Sequence, residues 1–431
     1  MFRISCLILP LTALSVRAQQ PVIVSTDVDH FWQAYDKIRS TPDTLLQQKY
    51  LQELYLDKAS PGLKALRQVR RYEAKDYLDA IRLYPAFWAS LRPTSKPTSA
   101  QIKQIKTAIG KLRAIYPALS SSPVYFAVGA FRTNGTISDG KVLIGVEMAL
   151  SGRSIDTTGL PDFLRTYYHS YHPAETIGLL CTHEYVHTQQ KLPYDDLLAN
   201  SLYEGVAEFI SCLAAGKSST TPSFVFAAQN EQRVKQKFQE DIFYPDRMYN
   251  WIWGTNRNEL KERDLGYYIG YRTAETYYKN AADKKRAIAE MIEMDYGNDS
   301  VVTSFMNRSG YFDKPYEALL AVYESRRPKI VEVWPLNNGT ENIPAGVQKF
   351  TLRFSKPLNK HNTGIDFGPL GEDYCPKIPA AGRAWSEDGQ SWSFDAELQP
   401  GRRYQFMITA NFRMADGTRL VPYVIDFTTA K

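Results

Sequence analysis

The stretch that decides the reading is His183-Glu184-Tyr185-Val186-His187, followed further on by Glu204-Gly205-Val206-Ala207-Glu208. On a helix, residues four apart share a face. His183 and His187 therefore aim two imidazoles at one point, with Glu184 beside them. Two neutral His and a carboxylate make a zinc site, and a Glu next to the first His is the base of a metal-assisted hydrolase. Residues 174–191 read as a helix that opens after Pro173, with Ile177, Leu180 and Cys181 available for burial. Leu197–Ala215 reads as a second helix on which Glu204 and Glu208 share a face. Between them, Pro193 and the Asp195-Asp196 pair turn the chain. Cys181 lies two residues before His183 and points away from the ligand face, so it is not a ligand.

H-E-x-x-H followed by E-G-x-A-E resembles the gluzincins, the clan of the thermolysin-like enzymes and aminopeptidase N. The wording H-E-Y-x-H-T-Q-Q with L-Y-E-G-x-A-E-F also resembles a bacterial group of uncharacterised predicted zinc-dependent proteases. The resemblance spans residues 123–279. It implies that Glu204 is the third zinc ligand and that Glu208 holds His183. An outer carboxylate on a ligating His is the usual arrangement. Tyr203 stands where the family has Asn, and the spacing from His187 to Glu204 is shorter, so the reverse assignment of Glu204 and Glu208 stays open. In gluzincins a sheet edge ahead of the metal helix binds the substrate backbone as an added strand. Val124-Tyr125-Phe126-Ala127-Val128 and Val142-Leu143-Ile144-Gly145-Val146 read as strands of such a sheet, with a turn region of Gly, Asn and Asp over 134–140. Gly145-Val146-Glu147-Met148 resembles the substrate-gripping strand of aminopeptidases. That makes Gly145 and Glu147 candidates for substrate binding, against a plain structural role for the carboxylate. Tyr267-x-x-Gly270 resembles the motif whose Tyr stabilises the oxyanion. Tyr267 is named first for that role, with Tyr268 and Tyr271 as rivals in a chain of 28 Tyr.

Outside the motifs, residues 1–18 read as an export signal, with Arg3 before an apolar run and Ala18 at the cut. Cys6 leaves with it. Three Cys then remain, too few for a disulfide scaffold; Cys181 and Cys212 either pair across the two helices or stay as buried thiols. The net charge of +6 on 431 residues is small and dispersed, with no basic block interleaved with aromatics, so nucleic-acid binding has no support. No later stretch is apolar enough to span a membrane.

Residues 19–122 read as a helical region of the catalytic part and 123–327 as the metalloprotease core. Within the first, Arg67, Arg70 and Arg71 read as a solvated basic face. His169 and His172 read as surface or packing residues. From 328 to 431 the texture is all β. Val347-x-x-Phe350-x-Leu352-x-Phe354, Tyr404-x-Phe406-x-Ile408 and Tyr423-x-Ile425-x-Phe427 alternate, and Asn337-Asn338-Gly339 makes a turn. Leu398-x-Pro400-Gly401-x-x-Tyr404 resembles the tyrosine corner of Ig-like sandwiches, and the segment as a whole resembles a bacterial Ig-like domain. The expectation is a multidomain protein: a mainly helical α+β metalloprotease domain, then an all-β Ig-like sandwich. It is exported to the periplasm, the cell surface or the medium, binds one zinc, and acts on peptide or protein substrates. An aminopeptidase using Glu147 is one alternative. The other is a non-catalytic surface protein with a structural zinc and a partner on the Ig-like domain.

Overall fold

Helices dominate up to Arg326 and strands take over from Ile330. The structure is a computed structural model and describes residues 20–254, 259–335 and 339–431. The export signal, Cys6, Asn337 and Asn338 lie outside the described residues. No helix among the described residues is long and apolar enough to cross a membrane. The chain forms two compact units. The first takes the described residues up to Phe238 together with Tyr249–Asp313, and the second takes Gln239–Met248 with Lys314–Lys431.

The first unit opens with helices α1 (Thr26–Arg39), α2 (Thr44–Leu51), α3 (Pro61–Arg70), α4 (Ala74–Leu83), α5 (Pro85–Leu91) and α6 (Ser99–Ile115). Spacing makes them amphipathic: Val28, Phe31, Tyr35 and Ile38 of α1 recur at helical period, and all four are buried. Phe31 has its ring centroid 5.2 Å from that of Trp32, 5.5 Å from Tyr55 and 5.0 Å from Trp88. Burying one such side chain stabilises by about 1.5–3 kcal/mol, so this aromatic cluster is the anchor of the helical layer. Removing the Phe31 ring would break it first.

Of these helices, α1 and α3 pack on a four-stranded sheet in the order β1 (Ile23–Val24), β2 (Val124–Ala127), β4 (Lys141–Gly145), β3 (Gly135–Ser138). The first three strands are parallel, and β3 runs antiparallel at the edge. The sequence places this stretch in a turn region. Only its second half turns: Asp139 (φ 48°) and Gly140 (φ 68°) form a two-residue hairpin loop with both residues left-handed, and Ser138 pairs with Lys141 across it. Strand β4 is buried along almost its whole length. Helix α3 packs on β2, β4 and β3.

The unit continues through α7 (Val146–Ala149), α8 (Asp162–Ser170), α9 (Ile177–His187), α10 (Leu197–Ala215), α11 (Ser223–Gln229), α12 (Glu231–Asp241), α13 (Leu265–Asn280), α14 (Lys284–Glu293) and α15 (Asp299–Ser309). Helix α12 runs on into the second unit. Helix α9 is shorter than expected. Pro173–Thr176 is a 3-10 turn, and α-helical bonding stops at His187. Every residue of α9 is buried, and it packs on β3, β4, α6 and α10. Helix α10 begins at Asp196, whose carboxylate accepts from the Ala199 N–H at 3.0 Å. It ends at Gly216, left-handed at φ 66°, with the Lys217 N–H donating to the Cys212 carbonyl. Helices α10 and α13 meet through Gly205 and Gly270, where any side-chain carbon would run into the facing backbone. Cys181 and Cys212 are free, buried thiols.

In the second unit, α16 (Tyr316–Arg326) comes ahead of the strands, so this unit begins before the Arg326-Arg327-Pro328 boundary expected from texture. The reason is aromatic: Tyr323 of α16 stacks on Phe243, which belongs to the same unit, and Tyr316 packs on it at a tilt. Two four-stranded sheets follow. One has the order β5 (Ile330–Trp334), β7 (Gly346–Phe354), β10 (Ser391–Leu398), β9 (Ala384–Trp385). The other has β6 (Thr340–Ile343), β12 (Tyr423–Thr429), β11 (Arg403–Ile408), β8 (Ile365–Phe367). Alternation buries one face of each, and the two faces share a core. Phe350 and Phe394 of the first sheet meet Phe427 and Phe406 of the second.

Candidate metal centre

Helix α9 supplies His183, Glu184 and His187, and α10 supplies Glu204 and Glu208. Among the described residues, His183, His187 and Glu204 are the group whose ligand atoms converge as a metal would require. His187 Nε2 lies 3.0 Å from His183 Nε2 and 3.2 Å from Glu204 Oε2. His183 Nε2 lies 3.4 Å from the same oxygen. Ligands at about 2.0–2.1 Å in tetrahedral array are about 3.3–3.4 Å apart, so the triad has the size of such a shell.

The protonation pattern supports the same conclusion. His183 Nδ1–H donates to Glu208 Oε2 at 2.9 Å. Gln190 Nε2 donates to the Tyr203 carbonyl at 3.2 Å and to the Tyr296 hydroxyl at 3.0 Å. A carbonyl only accepts, so Gln190 Oε1 faces His187 and must accept from His187 Nδ1–H, at 2.7 Å. With both Nδ1 atoms protonated, neutral imidazoles turn two Nε2 lone pairs and a carboxylate oxygen toward one point. In these neutral tautomers nothing there donates, so the arrangement accepts a cation, either a metal ion or a proton on one Nε2. Three buried carboxylates, Glu184, Glu204 and Glu208, call for one as well. Without a metal, burial works to lower the His183 imidazolium, but Glu204 and Glu208 outweigh it and push its pKa up. Burial likewise works to raise Glu204, and the two His hold it well down.

Gln190 carries no motif signal. It reaches His187 because the chain beyond α9 tightens: the Gln189 and Gln190 N–H groups donate to the Val186 and His187 carbonyls, three residues back. In that geometry residues three apart eclipse. The Tyr203 ring stacks on His187 at 4.3 Å between centroids and 18° between planes. Glu208 Oε1 accepts from Ser219, a second contact that the motifs do not carry.

The Glu184 carboxylate, raised by burial against the pull of His183 and His187, lies along Gly135 of β3. A Cβ there would come within 2.6 Å of Glu184 Oε1. The edge strand and the Glu184 carboxylate are therefore in contact. Of the three named tyrosines, Tyr267 stands half-buried against the triad, its ring 6.2 Å from His183 and nearly parallel. Its hydroxyl accepts from Trp253 Nε1 at 3.1 Å. Tyr268 packs on Phe224 and neighbours Glu231 and Arg272. Tyr271 packs on Phe209 and Phe224. Glu147 is fully buried. Its carboxylate accepts from the Gly129 N–H at 2.9 Å and the Phe131 N–H at 3.1 Å, so it ties the loop that leads to β3. Gly145 lies beside the Thr133 carbonyl, which leaves no room for a side chain. Neither His169 nor His172 belongs to the converging group.

No family model matches the chain, and no curated protein matches it. Two solved structures are similar. The crystal structure of the S-layer protein rSbsC(31-844) matches at 13% identity and TM-score 0.18, over 94% of this chain and 46% of that one. The structure of surface layer protein SbsC, domains 1-6, matches at 12% identity and TM-score 0.19, over 76% and 45%. The chain spans less than half the length of either, and scores this low carry no inference about fold or function.

Proposed function

We propose that this chain is an exported zinc metallopeptidase of gluzincin type, with His183, His187 and Glu204 holding one zinc. One observation carries the proposal: the His183–His187–Glu204 triad has the size of a tetrahedral shell, and the Glu184 carboxylate beside it touches an outermost sheet strand. Zinc held there would supply a Lewis acid that acidifies a water and polarises a peptide carbonyl. Strand β3 offers its backbone edge to an extended peptide. Glu184 takes the proton of the attacking water on its carboxylate and hands it to the leaving amine. Tyr267 donates a hydrogen bond from its hydroxyl to the carbonyl oxygen as charge develops there, keeping its proton. Glu208 and Gln190 hold the two imidazoles in the tautomer that leaves Nε2 free.

Internal peptide bonds fit better than amino-terminal ones, because the Glu147 carboxylate is occupied by Gly129 and Phe131. The β unit reads as an Ig-like spacer or adhesion module. Its support is Tyr404, whose hydroxyl accepts from the Gln399 N–H at 2.8 Å as a tyrosine corner does. The test is Glu184→Gln. It should keep zinc and lose peptide hydrolysis by about 100-fold or more. Cleavage at the wild-type rate would remove Glu184 as the base.

A further inference from the structure

We propose that Trp253 is a positioning residue of the reaction: its indole N–H, bonded to the Tyr267 oxygen, turns the Tyr267 proton toward the carbonyl oxygen of the substrate. This rests on the peptidase reading and adds a residue that none of the motifs carries.

The segment that brings Trp253 to the site is pinned to the head of α13. Trp251 is fully buried, with its ring edge-on to Phe238 at 5.1 Å between centroids, and its carbonyl accepts from the Gly266 N–H at 2.9 Å. The Trp253 N–H donates to Asp264 Oδ1 at 2.9 Å. Asp264 caps the start of α13, and Arg263 Nε donates to its other oxygen at 2.6 Å. The first turn of α13 therefore carries Tyr267 and, through these bonds, holds Trp253 as well.

Trp253 has φ 61°. The left-handed region is uncommon for residues other than Gly, and a side chain this bulky is an outlier there. The ring does not fill the core: 49% of Trp253 is exposed, whereas Trp251 and Ile252 before it are fully buried. What the left-handed turn secures is one contact. Trp253 Nε1 reaches the Tyr267 hydroxyl at 3.1 Å, and the Tyr267 ring lies 6.2 Å from that of His183.

Chemistry gives that contact a direction. An indole N–H only donates, so the Tyr267 oxygen is the acceptor. The bond occupies a lone pair and leaves the O–H to donate elsewhere. Among the described residues that proton meets no acceptor. A phenolic hydroxyl rotates about its C–O bond, and a donor fixed on one side turns its proton away from that side. A donor on the oxygen also polarises the O–H and strengthens the bond it gives.

The test is a double-mutant cycle on full-length zinc-loaded protein: wild type, Trp253→Phe, Tyr267→Phe and the double variant. Trp253→Phe keeps an aromatic ring and removes the N–H. Each protein is assayed for zinc content, for kcat and KM on an N-blocked peptide, and for affinity to a phosphinic peptide, whose tetrahedral phosphorus carries the oxyanion and is not cleaved. Tyr267→Phe should lose about 100-fold in kcat, as removal of an oxyanion donor does. Trp253→Phe should lose about 3- to 10-fold in kcat and in phosphinic affinity, the worth of one neutral hydrogen bond. Its KM should stay within about twofold of wild type, because an interaction made only in the transition state lowers kcat and kcat/KM alike. In the Tyr267→Phe background the Trp253 change should cost nothing more, since it acts through the missing hydroxyl. Zinc content should be the same in all four. A Trp253 effect of equal size with and without the Tyr267 hydroxyl, no effect at all, or loss of zinc in Trp253→Phe would overturn the proposal. Coupling in phosphinic affinity without cleavage by wild type would keep the Trp253–Tyr267 pair and overturn the peptidase reading. Neither cleavage nor phosphinic binding by wild type would overturn both.

Discussion

His187 shows how tightly the candidate site is specified one side chain at a time. Its ring is stacked by Tyr203, its Nδ1–H is held by Gln190, and its Nε2 faces His183 and Glu204. Removing an outer partner of a metal-binding His costs about 10- to 100-fold in metal affinity. Gln190→Ala should weaken zinc by that factor in a chelator competition while secondary structure by circular dichroism stays unchanged; unchanged affinity would mean the tautomer needs no such hold. Glu147 carries a different expectation. Burial raises its pKa from an ordinary 4.5 to about 7, against three backbone N–H bonds that lower it. Between those values the folded chain holds a proton that the unfolded chain has released. Its contribution is therefore fully present below the unfolded value and is lost as pH rises through the folded one. At roughly 1.36 kcal/mol per unit, the loss amounts to about 3 kcal/mol. Urea midpoints of wild type should fall between pH 5 and pH 8, and Glu147→Gln should flatten that slope. Parallel slopes would exclude Glu147 as the titrating group.

The elements of the site differ in how far the sequence reveals them. Helices α9 and α10 are legible because four-residue spacing between ligands needs no tertiary information. Strand β3 is not. Gly135-Thr136-Ile137-Ser138 is short and set among Asn, Gly and Asp, and only pairing with β4 extends it. Glu204 and Glu208 share a face, so their roles are settled by which imidazole nitrogen each one meets. Tyr267 separates from Tyr268 and Tyr271 only through the crossing of α10 and α13 at Gly205 and Gly270. Gly135 tests the contact between strand and base. A methyl group in Gly135→Ala would press on the Glu184 carboxylate. The variant should bind zinc normally and lose at least about 10-fold in kcat/KM, a geometric displacement being felt strongly at a reacting group. Wild-type kcat/KM would show that the contact is not needed.

For the molecule as a whole, the two units have separate cores, and only the first holds the candidate centre. A ligand that binds the folded state alone stabilises it by mass action, about 4 kcal/mol at a thousandfold excess over its dissociation constant. Chelation should therefore lower the unfolding temperature of the first unit and leave that of the β unit in place, seen as two transitions in scanning calorimetry that move apart. A common shift of both would mean that metal is not confined to the first unit. Before that comes the elemental analysis of purified protein, prepared without chelators and exposed to zinc, beside His187→Ala. About one zinc per chain in wild type, lost in the variant, is the expected result. No transition metal in either protein would contradict it, and would leave His183, His187 and Glu204 as a buried hydrogen-bonded cluster with no hydrolytic role.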